Sequence, residues 1–112
     1  MLKRLPVAFY ALPSEREPVR EWLNALSDDD RKIIGEDIKF IEFGWPVGMP
    51  LCRALGGGLW EVRSQLTQGR ISRVLFCVHG GRMVLLHAFI KKTQKTPEAD
   101  MDLASKRKKD LP

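Results

Sequence analysis

Positively charged side chains carry most of the chemistry that this sequence could perform, and they concentrate in its second half. Of the 112 residues, 19 are Lys or Arg and 14 are Asp or Glu. Residues 1–56 hold 8 Lys and Arg against 9 Asp and Glu, a net charge of −1, whereas residues 57–112 hold 11 against 5, a net of +6. This asymmetry favours an anionic partner, most commonly nucleic acid. A solvated basic surface without a partner is the alternative.

Two strand arginines and a lysine cluster are the residues best suited to bind phosphate. Arg63 and Arg73 lie in neighbouring predicted strands, and the alternation of side chains along a strand places both on one open face of the sheet. Lys91, Lys92 and Lys95 follow at the end of the last predicted strand. A planar guanidinium suits phosphate oxygens, and lysine adds a point charge. The sequence therefore predicts a phosphate-binding site on this face.

Other motifs have packing explanations. The three glycines at 56–58 could form a phosphate-binding loop, but such loops lead into a helix, whereas these lead into a predicted strand. They predict a flexible turn. Two cysteines, Cys52 and Cys77, are too few for a disulfide framework, and together with two histidines they show no metal-ligand spacing. We expect no metal site and no cofactor.

Three helices are predicted from start signals and apolar spacing. Pro18 suits the first position of a helix whose apolar side chains recur every three or four residues. Ser27 caps a second helix ahead of three aspartates, and Gly44 ends it. Thr96-Pro97-Glu98 predicts the start of a last helix that runs to about Asp110, with the Thr96 hydroxyl as its cap and Pro97 at its first position.

Apolar alternation and Gly-bearing connectors predict the strands. They are predicted at residues 3–10, 59–66, 71–78 and 83–91. Pro6 indicates that the first strand lies at the edge of the sheet or that this proline lies near the start of the strand. Residues 45–58, rich in Gly and Pro, are predicted to be a loop.

This order predicts an α+β fold in a single domain over residues 1–112. A small antiparallel sheet carries the N-terminal helical hairpin on one face, the C-terminal helix follows the last strand, and the other face is free for a partner. No apolar run approaches the roughly 20 residues of a membrane span, and the start lacks the apolar stretch of a signal peptide. We expect a cytoplasmic protein with no membrane partner.

Three segments of the chain carry a resemblance to a known family. They are Leu59-Trp60-Glu61-Val62-Arg63, Arg73-Val74-Leu75-Phe76, and the stretch from Leu85 that ends in Lys91-Lys92-Thr93-Gln94-Lys95-Thr96-Pro97. Together they resemble the toxins of the RelE superfamily, in particular the phage-derived HigB-like branch of bacterial type II toxin–antitoxin systems. The resemblance covers nearly the whole chain, and residues 91–97 are its most specific part.

The resemblance implies a RelE-like fold and a ribosome-dependent endoribonuclease that cuts mRNA in the decoding site. The ribosome and mRNA are then partners. It also implies a cognate antitoxin, expected to contain a helix-turn-helix, that silences the toxin and alone brings the complex to operator DNA.

The resemblance also implies roles for individual residues. Arg73 matches the arginine that contacts the scissile phosphate, Arg63 matches a basic site residue on the second strand of the family, and Lys91 and Lys92 match basic residues at the end of the last strand. The chain departs from the family at Glu61, where some relatives have lysine. It also lacks the tyrosine that several members carry near the last helix, since Tyr10 is its only tyrosine.

Further RNA contacts are expected from Lys95, Arg70 and His87. His87 lies on the last predicted strand, and a hydrogen-bonded structural histidine is the alternative for it.

Metal-free RNA cleavage needs a base for the 2′-hydroxyl, cations for the developing charge and an acid for the leaving oxygen. Arginine stays protonated and cannot be the base, whereas a lysine among other cations has a lowered pKa. We expect Arg63 and Arg73 to stabilise charge while Lys91 or Lys92 handles protons.

Two other functions fit the same residues. One is a ParE-like toxin that poisons DNA gyrase without cutting RNA. The other is a non-enzymatic nucleic-acid-binding regulatory module, which predicts salt-sensitive binding without cleavage.

Overall fold

The computed structural model describes residues 2–91 and 96–112, and in these ranges three α-helices pack on a five-stranded sheet. The strands are β1 (Val7–Phe9), β2 (Cys52–Gly56), β3 (Leu59–Gln65), β4 (Ile71–His79) and β5 (Arg82–Ile90). The helices are α1 (Pro18–Asn24), α2 (Asp28–Gly44) and α3 (Glu98–Lys109). The strand order is β1-β5-β4-β3-β2, in which β1 runs parallel to β5 and the other pairs are antiparallel. The α+β prediction is confirmed.

The N-terminal helical hairpin begins and ends where the sequence predicts. Pro18 opens α1, and the Ser27 hydroxyl caps α2 by accepting a hydrogen bond from the Asp30 N–H at 3.2 Å. The buried side chains of Ile34 and Ile41 then pack against the sheet in the main apolar core. This core occupies one face of the sheet and includes Val62, Val74 and Phe76.

The predicted loop over residues 45–58 is wrong in its second half, because Cys52–Gly56 forms strand β2 at the edge of the sheet. A two-residue turn joins β2 to β3, with φ of +61° at Gly57 and +81° at Gly58. Both angles lie where glycine is favoured, and a Gly-Gly turn of this kind suits the twist of a hairpin. The expected turn at residues 56–58 is therefore present, and it joins two strands.

The prediction that the second face of the sheet is free is also wrong. Helix α3 packs there and forms a second apolar cluster, in which Ala104 is buried with Leu75, Cys77 and Leu86. The cationic residues on this face therefore lie beside a covering helix. None of the helices in the described ranges combines the length and apolar character of a bilayer span.

The hairpin turn supplies a stability test. Replacing Gly58 with alanine would place a Cβ 2.9 Å from Lys108 Cε and keep a φ of +81°. We expect Gly58→Ala to lower the free energy of unfolding by about 1 kcal/mol or more, because a side chain is strained at this angle. Gly48→Ala is the matched control, since its Cβ would meet nothing within 4 Å. Urea denaturation of both variants checks this, and equal losses would contradict it.

Candidate active site

Strand register brings the two predicted site arginines together. Arg63 of β3 and Arg73 of β4 are direct cross-strand partners, so their side chains leave the same face of the sheet, as expected from the sequence. Glu61 lies two residues before Arg63 on this face, and its cross-strand partner on the other side is Arg53 of β2. Charged residues of three adjacent strands thus share one face.

The carboxylate of Glu61 is the centre of this group. Its Oε2 accepts a hydrogen bond from Arg73 Nη1 at 3.0 Å, and its Oε1 pairs with Arg53 Nη2 at 3.1 Å. The Thr96 hydroxyl donates to Glu61 Oε2 at 3.1 Å and accepts a hydrogen bond from Arg73. Glu61 therefore links β2, β3 and β4 to the segment that leads into α3.

Arg73 does not lie on an open surface as expected. Both Arg73 and Glu61 are only 1% exposed. A guanidinium removed from water needs a paired carboxylate and further hydrogen bonds, and Glu61 and Thr96 supply them. Thr96 consequently does not cap α3, which begins at Glu98 with no side-chain cap bond. That predicted cap is wrong.

Lys91 follows β5 directly and lies near the arginines. Its backbone N–H donates to the Ile71 carbonyl at 2.6 Å, which fixes the chain at this point. The pKa of Lys91 is lowered, first by removal of the ammonium from water and then by the positive charges of Arg73 and Arg63, while Glu61 acts in the opposite direction. A lysine that serves as a general base needs a pKa lowered in this way.

Within the described ranges, four basic residues share this face, and they are called the cationic cluster below: Arg53, Arg63, Arg73 and Lys91. Within it, Arg73 is buried, Arg63 and Lys91 are partly buried, and the Arg53 side chain is 42% exposed. Solvent thus reaches the cluster at Arg53, Arg63 and Lys91, while Arg73 contributes its charge from beneath.

Arg70 and His87 have partners outside the cationic cluster. Arg70 forms two hydrogen bonds to the Asp30 carboxylate, at 2.8 and 2.9 Å, which join the β3–β4 connection to α2 and lower the pKa of Asp30. His87 Nε2 lies 2.6 Å from Asp100 Oδ1, a contact that joins β5 to α3. This contact is the one expected of a structural histidine.

Two further predicted site residues, Lys92 and Lys95, lie outside the described residues. Within the described ranges, no three His, Cys, Asp or Glu side chains form a group that could hold a metal ion.

Arg53 was not predicted as a site residue, Glu61 was predicted only as a departure from the family, and Thr96 was expected to cap α3. Arg53 was missed because its segment was predicted to be a loop, although a Gly-Gly turn before a strand is also a hairpin signal. An acidic residue two positions before Arg63, on the same face of the predicted strand, was a signal for Glu61. No sequence signal identifies the contacts of Thr96, which depend on the packing of α3.

The architecture is consistent with a RelE-like fold. A helical hairpin packs on one face of an antiparallel meander, and a C-terminal helix lies beside the cationic cluster on the other face. Residues 21–109, which include the whole cationic cluster, match the family model described as phage-derived protein Gp49-like (DUF891). The chain belongs to this family, which is related to the RelE/ParE-type toxins. No curated protein matches the chain significantly.

Removal of the central carboxylate tests how far the site depends on Glu61. Glu61→Ala leaves the buried Arg73 without its carboxylate, and we expect a loss of about 3–5 kcal/mol in the free energy of unfolding. Glu21→Ala is the control, because it breaks an exposed ion pair with Arg16 and should cost about 1 kcal/mol or less. Chemical denaturation measures both values. Similar losses in the two variants would contradict the central role of Glu61.

Proposed function

We propose that this protein is the HigB-like toxin of a type II toxin–antitoxin system and acts as a ribosome-dependent mRNA endoribonuclease. The observation that carries the proposal is the cationic cluster, in which basic side chains from four adjacent strands or their ends share one face around a single carboxylate. Membership of a family related to RelE/ParE-type toxins supports the same conclusion.

The proposed reaction uses the RNA itself as nucleophile. A lysine accepts the proton of a 2′-hydroxyl, and the 2′-oxygen attacks the adjacent phosphorus. The bond from phosphorus to the 5′-oxygen then breaks, which leaves a 2′,3′-cyclic phosphate and, after protonation, a 5′-hydroxyl. The pKa of Lys91 is lowered in the direction that this step needs, and Lys92 is the alternative base.

The arginines stabilise the charge that develops on the phosphate. Arg63 is partly exposed and can approach phosphate oxygens directly, as a planar donor fork does best. Arg73 is held by Glu61 and Thr96 and acts as a fixed positive charge below the surface. Charges fixed before the reaction need no rearrangement during it, which is the main way that proteins stabilise such transition states.

The proposed partners follow from the same chemistry. The ribosome presents the mRNA to the cationic cluster, and a cognate antitoxin covers this face in the silent complex. An antitoxin with a helix-turn-helix then carries the complex to operator DNA, which the toxin does not itself contact. No cofactor takes part.

Inducible expression in a bacterium tests the function. We expect expression of the wild-type chain to arrest growth and to produce mRNA fragments with 5′-hydroxyl ends, and co-expression of the neighbouring antitoxin gene to prevent both. Arg63→Ala should abolish the fragments. Arg82→Ala is the control, because it removes an exposed arginine at the start of β5, the opposite end of that strand from Lys91.

Other results of this experiment would contradict the proposal. Growth arrest with intact mRNA and inhibited DNA supercoiling would identify a gyrase-inhibiting toxin. Salt-sensitive nucleic-acid binding without growth arrest or cleavage would identify a regulatory module.

The pH dependence of cleavage tests the role of Lys91. Because the base must be unprotonated, we expect the single-turnover rate on ribosome-bound mRNA to rise with pH and level off below the ordinary lysine pKa of about 10.4. Lys91→Ala should lower the rate about 100-fold or more and remove this rise. Lys92→Ala is the matched comparison and should keep it. The reverse result would assign the base to Lys92.

A further inference from the structure

We propose that Arg53 forms a second phosphate-binding position at the β2 edge, which takes the phosphodiester next to the one held at Arg63 and Lys91. The inference rests on the proposed function, since it extends the same site along the RNA strand. The substrate is then an RNA segment with at least two successive phosphodiesters that lies across the sheet.

The placement of Arg53 separates it from the buried part of the cluster. Strand β2 is the last in the sheet order, and Arg53 is the cross-strand partner of Glu61. Arg53 binds Oε1 of Glu61, whereas Arg73 binds Oε2, so the two guanidiniums lie at different oxygens of one carboxylate. The Arg53 side chain is 42% exposed and the Arg73 side chain 2%, so solvent and ligands reach Arg53.

The charge of the cluster exceeds what one phosphodiester neutralises. Among the residues that the structure describes, the cluster combines four basic side chains with the single carboxylate of Glu61, which leaves a net charge of +3 with Lys91 protonated and +2 with Lys91 neutral. A phosphodiester carries one negative charge, so a single group leaves the cluster positive. An anionic polymer with successive phosphates matches this surplus, because each further phosphate can pair with a lysine or an arginine.

The width of the sheet also favours a ligand with more than one phosphate. Adjacent strands are about 4.8 Å apart, so the three spacings from β2 to β5 measure about 14 Å. A charge-assisted hydrogen bond is only about 2.7–2.9 Å long. Each phosphate therefore bonds only to the side chains nearest to it, and an RNA strand that crosses from β5 to β2 brings a further phosphodiester toward Arg53.

The test compares two short RNA probes with 2′-O-methyl groups, which lack the nucleophile and are not cleaved. One is a dinucleotide with a single phosphodiester, and the other is a trinucleotide with two. NMR titration at low salt measures their affinities for the wild-type protein and for Arg53→Ala. We expect Arg53→Ala to weaken trinucleotide binding roughly tenfold and to change dinucleotide binding less than twofold, because only the longer probe reaches this residue.

Two further variants separate phosphate contact from general effects. Arg82→Ala removes an equal charge from an exposed position at the other end of β5, and both affinities should stay unchanged. Arg53→Lys keeps the charge beside Glu61, so it tests the position even if Arg53→Ala does not fold. It should lose only part of the trinucleotide affinity. The slope of log affinity against log salt should fall by about 0.7 in Arg53→Ala and stay unchanged in Arg53→Lys.

Several results would overturn the proposal. For Arg53→Ala, these are an equal loss of affinity for both probes or no loss of affinity for either. For the wild-type protein, they are an affinity for the trinucleotide no higher than that for the dinucleotide, or no binding of either probe. Failure of the proposed function looks different, since it means that the wild-type chain does not cleave mRNA in cells. A wild-type chain that cleaves mRNA while Arg53→Ala binds both probes normally would overturn this inference alone.

Discussion

The buried carboxylate of Glu61 is the interaction on which the arrangement of the cationic face depends. Arg63 and Arg73 are direct cross-strand partners, and like charges in that position repel and destabilise a sheet. Glu61 offsets this repulsion, because it pairs with Arg73 and with Arg53 of the neighbouring strand. It also accepts a hydrogen bond from Thr96. One carboxylate of β3 thus holds positive charges of β2 and β4 close together.

The same carboxylate also acts on Lys91. Removal of its ammonium from water lowers the pKa of this lysine most, the arginines lower it further, and Glu61 acts against them. A cluster with no carboxylate would lower that pKa further but would also repel itself across the strands. A cluster with more carboxylates would lose its attraction for phosphate. The single carboxylate therefore lets the cations pack closely together while this face keeps a net positive charge.

Local patterns predicted much of this fold. The Ser27 cap and the Gly44 end of α2 follow from neighbouring residues, and the alternation of side chains was enough to place Arg63 and Arg73 on one face. The edge strand around Arg53 was missed because its segment contains the Gly and Pro residues typical of loops. Whether Arg73 is exposed could not be predicted, because its burial depends on contacts with Thr96, 23 residues along the chain.

Stability alone does not explain why an ion pair lies buried beside the segment that leads into α3. Pairing in the interior rarely recovers the free energy needed to remove two charges from water, and apolar residues of similar volume often serve a fold equally well. The opposite face of the same sheet shows that solution, since Val62 and Val74 are direct cross-strand partners buried in the apolar core. Glu61 instead pairs with the exposed Arg53, and Arg73 lowers the pKa of Lys91. In the proposed function, those two effects serve the binding of an anionic ligand and a proton transfer, so that function explains the buried pair better than the stability of the sheet does.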